Sequence, residues 1–131
     1  MAFIESVNYG KNVEPYLVIP ATAAEAYTAG ETLYINASGT ATKCAGATKP
    51  TYICQETKTA KEGDVIHATL VNPEQELEAP LSAAGTSLKV GNKVTIATDG
   101  LRVTATTADG VFEITKINGT ATGDTVCGVF R

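Results

Sequence analysis

The 131-residue chain is predicted to be all-β: a small single-domain β-barrel or β-sandwich-like fold with pseudo-repeated halves and an extended N-terminal arm. Three observations carry this. One turn-and-strand spacing occurs twice, since Gly30-Glu-Thr-Leu33-Tyr-Ile35-Asn-Ala-Ser-Gly39 and Gly91-Asn-Lys-Val94-Thr-Ile96-Ala-Thr-Asp-Gly100 both read Gly-x-x-(Leu/Val)-x-Ile-x-x-x-Gly. Gly63-Asp64-Val65-Ile66 is echoed by Gly123-Asp124-Thr125-Val126, and the offsets nearly agree, 61 residues from Gly39 to Gly100 and 60 from Gly63 to Gly123. Short runs also alternate apolar and polar residues, the period of a half-buried strand. Finally, 20 threonines suit pleated, half-exposed strands, because the branched Cβ restricts χ1 while the hydroxyl stays hydrated.

A chain of this length fits one core, whereas two cores would each be marginal. Residues 1–20 are read as the arm and residues 21–131 as a single β domain, with repeat halves at about 29–71 and 86–131. In the arm, Phe3, Ile4, Val7, Tyr9, Val13, Tyr16, Leu17 and Ile19 keep no sustained period, and Pro15 and Pro20 limit regular structure. Such an apolar segment packs along its own domain or reaches onto a neighbour; an extended arm takes the second course.

Further on, Leu33 and Ile35 share one strand face and Thr32, Tyr34 and Asn36 the other, with Ala37-Ser38-Gly39 as the turn. Ala41 to Cys44 forms the return strand and Thr51 to Glu56 another. Val65 to Val71 then places Val65, His67 and Thr69 opposite Ile66, Ala68 and Leu70. Asn72-Pro73 with Gln75 reads as the capping box of a helix that Pro80 limits to about two turns. In the second half, Val94 and Ile96 precede Asp99-Gly100; Leu101, Val103 and Ala105 alternate with Arg102, Thr104 and Thr106; Asp109-Gly110 leads to Phe112 and Ile114. Asp-Gly supplies the positive φ of tight hairpins, so this stretch reads as a meander closed by a strand over 126–131.

A formal charge of −4 and a pI near 4.9 argue against nucleic acid, whose phosphates need clustered Lys and Arg. No apolar run reaches bilayer length and the N-terminus lacks a basic region followed by a long apolar one, so neither a membrane partner nor general export is expected. Cys44, Cys54 and Cys127 are an odd set without close pairs. They are read as reduced, partly buried thiols rather than a disulfide framework, or a zinc site completed by His67. The Asn36-Ala-Ser38 and Asn118-Gly-Thr120 sequons are read as accidental. Glu74, Gln75, Glu76 and Glu78 lack the Asp/Gly pattern of a calcium loop and are read as a solvated acidic surface.

No enzyme is expected. His67 is the single histidine, no Gly-x-Ser-x-Gly elbow surrounds a serine, and the glycines stand one or two at a time at turns rather than in a phosphate cradle. No catalytic residue, cofactor or metal is assigned, and what remains fits interaction better than catalysis.

Several stretches resemble the small capsid decoration proteins of tailed bacteriophages, also called head-stabilising or cement proteins. They are Pro15-Tyr-Leu-Val-Ile-Pro20-Ala, Ala29-Gly30-Glu31, Glu78-Ala-Pro-Leu-Ser-Ala-Ala-Gly85, and Val90-Gly91-Asn-Lys-Val94-Thr-Ile-Ala-Thr-Asp-Gly100-Leu-Arg-Val. The resemblance implies a β-rich, often trimeric protein, made in the host cytoplasm and placed on the outer face of the virion head. There it bridges capsomers of the major capsid protein. It assigns the capsid contact to the arm residues Phe3, Ile4, Val7 and Tyr9. The rival readings are another virion component, a head-fibre base or tail-tube protein, and a carbohydrate-binding β module using Tyr27, Tyr34 and Tyr52.

Overall fold

A computed structural model describes residues 3–8 and 16–131, with side chains for Phe3 and from Leu17 onward. Among the described residues the fold is all-β. The strands are β1 (Ile4–Asn8), β2 (Tyr16–Pro20), β3 (Ala26–Tyr27), β4 (Thr32–Ile35), β5 (Ala41–Lys43), β6 (Tyr52–Cys54), β7 (Lys58–Thr59), β8 (Val65–Leu70), β9 (Gln75–Pro80), β10 (Lys93–Val94), β11 (Phe112–Ile117) and β12 (Thr125–Phe130). They form a first sheet ordered β2-β8-β6-β4-β5, a second ordered β1-β9-β12-β11-β10, and a small β3-β7 pair. Every strand pairing is antiparallel. No sheet closes into a barrel, so the sandwich-like form of the expected fold is the one adopted.

The repeated spacing reappears as repeated strand pairing. Pro20 faces Val65 and Leu17 faces Ala68 in the first sheet, as Pro80 faces Thr125 and Leu77 faces Gly128 in the second. Tyr52 opposite Leu70 recurs as Phe112 opposite Phe130. Leu33 opposite Tyr52 recurs as Val94 opposite Phe112. Even the isolated parallel bridge Ala21 to Ala41 has its counterpart in Leu81 to Val103. The glycines that marked the spacing share the left-handed region pair by pair: Gly30 and Gly91 (φ 88° and 95°), Gly39 and Gly100 (79° and 72°), Gly63 and Gly123 (81° and 92°). A Cβ there costs roughly 1–2 kcal/mol, so the backbone demands glycine in both copies.

The structural repeat is wider than the halves read from the spacing, because β2 is the counterpart of β9. The acidic connector accordingly forms no helix. Asn72 does make a turn, its Oδ1 accepting the Glu74 N–H at 2.9 Å and its carbonyl the Gln75 N–H at 3.2 Å. The chain then straightens, burying Gln75, Leu77 and Ala79 and leaving Glu76 and Glu78 half-buried. Period two prevails over the cap because β9 lies between β1 and β12, where only an extended chain sends alternate residues into the core.

The expected meander is also looser than its alternation suggested, since residues 101–106 form no regular strand. Val103 is divided between two neighbours. It bridges Ile96, while its N–H donates to the Pro80 carbonyl (3.0 Å) and its carbonyl accepts the Ser82 N–H (2.8 Å). At the second Asp-Gly the positive φ falls on Asp109 (56°), and Gly110 is required for space: a Cβ on it would lie 2.1 Å from the Lys93 carbonyl oxygen.

Two cores result. The smaller gathers Ile19, Leu33, Cys54, Ile66 and Ala68 from the first sheet under Tyr27 of β3. The larger fills the second unit, takes in Ile53 and Cys44 from the first, and is closed at one end by a ring cluster. In that cluster Phe3 lies 5.6 Å from Phe112 and 5.4 Å from Phe130, and Phe112 and Phe130 are 5.0 Å apart. The units are joined by the buried Thr32, whose N–H and Oγ1 both donate to the Gly100 carbonyl (2.9 and 2.8 Å), and by the reciprocal Gly46 and Ile96 backbone bonds (2.8 and 3.0 Å).

Candidate functional site

Strand β2 ends the first sheet, and among the described residues no strand lies beyond it. Its sequence, Tyr16-Leu17-Val18-Ile19-Pro20, carries no charge. Leu17 and Ile19 sit opposite Ala68 and Ile66 on the core face; Val18, opposite His67, is 58% exposed. Val65, opposite Pro20, is 40% exposed, so two valines and a proline share the outer face beside the open edge. Ala21 N–H donates to the Asp64 carbonyl (3.0 Å) and Gln55 N–H to that of His67 (2.9 Å). Bonded pairs alternate in an antiparallel ladder, so Leu17 and Ile19 bond to β8 while Tyr16, Val18 and Pro20 aim their backbone groups outward. Pro20 has no N–H to leave unpaired there, which suits a proline on an edge.

The matching place in the second unit is closed. Glu76 and Glu78 replace Tyr16 and Val18, and β1 runs along them with Ile4 opposite Glu78 and Val7 opposite Glu76. The outer face is polar: Glu78 Oε2 accepts from Thr125 Oγ1 (2.7 Å) and Asn118 Nδ2 (3.3 Å), and Glu76 Oε2 from Thr115 Oγ1 (2.6 Å).

The arm residues are therefore placed as follows. Phe3 is 2% exposed, packed in the larger core, with its N–H donating to the Gly30 carbonyl at 3.1 Å. Ile4 and Val7 belong to β1, which is an edge strand of the second sheet. Tyr9 lies outside the described residues. The open β2 edge escaped the sequence reading. The only signal available was the uninterrupted apolar run over 16–19, which marks a strand uncharged on both faces without saying which face or edge is free.

The groups weighed for chemistry are scattered. His67 Nδ1 lies 2.6 Å from Glu56 Oε2 on the surface, and the His67 backbone N–H donating to the same oxygen (2.7 Å) holds that carboxyl below its ordinary value. Burial pushes the thiols of Cys44 and Cys54 up, to about 12 and about 11, which keeps them protonated and poorly nucleophilic. Among the described residues no three His, Cys, Asp or Glu side chains are grouped to hold a metal. Nor is any described helix long and apolar enough to cross a membrane. Tyr27 is buried, donating its hydroxyl to the Ala41 carbonyl (2.5 Å), while Tyr34 and Tyr52 pack half-buried against the cores.

One buried carboxylate stands out at the junction of the units. Glu31 is 3% exposed and its Oε1 has no hydrogen-bond partner. Burial pushes its carboxyl up to about 7, with Lys43 acting in the opposite direction.

Searches against protein-family models and against curated proteins find no match to this chain.

Proposed function

We propose that the chain is a non-enzymatic structural protein of a tailed-phage head, a decoration protein that binds the outer surface of the mature capsid and stabilises it by bridging capsomers. The observation that carries this reading is β1, an edge strand pinned to the domain by the buried Phe3, so that its free side offers backbone groups to a strand of the major capsid protein. Ile4, Val7 and Tyr9 are the proposed contact residues, and Phe3 is the anchor of the strand. The resembling stretches support the reading by falling on β2, β9 and the turns around β4 and β10, the scaffold of both units. Copies repeated over a symmetric shell resist internal pressure through many weak contacts, and an acidic, Thr-rich surface keeps a densely coated particle soluble.

The test is co-sedimentation with undecorated expanded capsids and with unexpanded procapsids. The protein is expected to pellet with expanded shells, and an I4K/V7K variant of unchanged melting temperature to stay in the supernatant. Failure of the unaltered protein to bind either shell overturns the proposal.

A further inference from the structure

We infer that the open edge of β2 is a self-association site, at which two copies of this chain pair their β2 strands antiparallel about a two-fold axis through Val18. The second unit shows what an edge of this geometry does. The residues of β9 that aim their backbone groups outward, Glu76 and Glu78, are paired with β1; their counterparts Tyr16 and Val18 have the same outward direction and, among the described residues, no neighbour. Among the described residues no strand remains to cover the β2 edge, which is therefore open to an occupant from another molecule.

Three features make that occupant a second β2. Edges that stay unpaired are normally guarded by charge, proline or bulges, and β2 has no charged residue and no register shift against β8, its one proline standing at the end of the strand. An uncharged strand can lie against its own copy without setting like charges opposite each other, which two β9 edges with Glu76 and Glu78 could not do. On the outer face beside the edge Val18 and Val65 stand where the second unit has Glu78 and Thr125, with His67, held by Glu56, opposite Val18 where the second unit has Cys127. Pairing about Val18 sets the two Val18 residues opposite each other as a hydrogen-bonded pair and brings Tyr16 of each copy opposite Pro20 of the other. The Tyr16 N–H then meets the Pro20 carbonyl, and the missing proline N–H stops the ladder at that point. The interface is isologous and closes at two copies, joining two five-stranded sheets into one.

The inference is independent of shell binding and is read on mass. Sedimentation equilibrium of the full chain is expected to give a concentration-dependent dimer. Val18→Lys should weaken it at least about tenfold by setting two ammonium groups at the axis, with unchanged circular dichroism and melting, while Val90→Lys, at another exposed valine, should not. Cα atoms of a hydrogen-bonded antiparallel pair lie about 5.5 Å apart, within disulfide reach. V18C should therefore form a covalent dimer under mild oxidation well ahead of V90C. A monomer at every concentration, a larger oligomer unaffected by Val18→Lys, or V18C cross-linking no faster than V90C would each overturn the inference.

Discussion

The two units share strand order, register and turn glycines, yet they finish their sheets differently. In the second unit Phe112 and Phe130 are capped by Phe3, and β1 covers the edge of β9. In the first, Tyr52 and Leu70 occupy the matching positions without a cap, Leu70 is 43% exposed, and β2 is left at the rim. A common backbone plan thus leaves open which surfaces are core and which are interface; the side chains at a few matched positions decide it. In the unit that received the arm β9 is covered and β1 is the edge strand, whereas in the other β2 itself stands at the rim.

Removing the seal should have the largest effect. Phe3→Ala is expected to cost about 3–5 kcal/mol, the usual loss for a buried ring, whereas Leu70→Ala in the uncapped unit should cost about 1 kcal/mol. Urea unfolding of both variants checks this, and equal losses would mean that the two ends are packed alike. A second contrast lies in the middle of the sheets, where Ala68 and Gly128 correspond. A Cβ on Gly128 would fall 2.4 Å from the Glu113 carbonyl oxygen and 2.6 Å from Phe112 Cε2. Gly128→Ala should therefore destabilise by about 3 kcal/mol through overpacking, while Ala68→Gly should cost only about 1 kcal/mol, mostly chain entropy. Thermal melts of the two variants should reproduce that order.

A third contrast depends on pH. Glu31 in the first unit corresponds to Asn92 in the second, an ionisable group set against a neutral amide. Burial raises the Glu31 carboxyl from 4.5 to about 7, so the folded chain holds a proton that the unfolded chain releases in between. Stability is then greatest below about pH 4.5 for this group, falls as pH rises towards 7, and stays low above it, by up to about 3 kcal/mol. Glu31→Gln should flatten that slope and stabilise the protein at pH 8 relative to pH 5. Parallel urea titrations at the two pH values measure it, and an unchanged slope would show that Glu31 is solvated.

Much of the fold was legible because its signals are local. Glycine at Gly30, Gly39, Gly63, Gly91, Gly100 and Gly123 reports a positive φ, and a positive φ reports a turn. The pairing of β2 with β9 as counterparts was not legible, since Val18 against Glu78 and Ile19 against Ala79 hide it and only Leu17/Leu77 and Pro20/Pro80 are kept. The connector misled because Asn72-Pro73 does form a turn, which a cap and a strand entry share. The alternation over 101–106 was real, but Val103 bonds to Pro80 and Ser82 while the Ala97–Arg102 and Thr104–Thr95 bonds set it opposite Ile96, a choice made by tertiary neighbours. For the candidate site, a run apolar on both faces announces burial, and only the order of strands in the sheet reveals that Val18 is at an edge.

Because the copies match in strand pairing, the pseudo-symmetry also has a stoichiometry. A protein assembled from two second units would present two acidic strand edges and own one β1 to cover them. One assembled from two first units would present two bare apolar edges and, joined as inferred at each, would grow without closing. One unit of each kind leaves one edge covered by β1 and one bare apolar edge. The divergence between Val18 and Glu78 therefore limits pairing of the β2 kind to one contact per molecule.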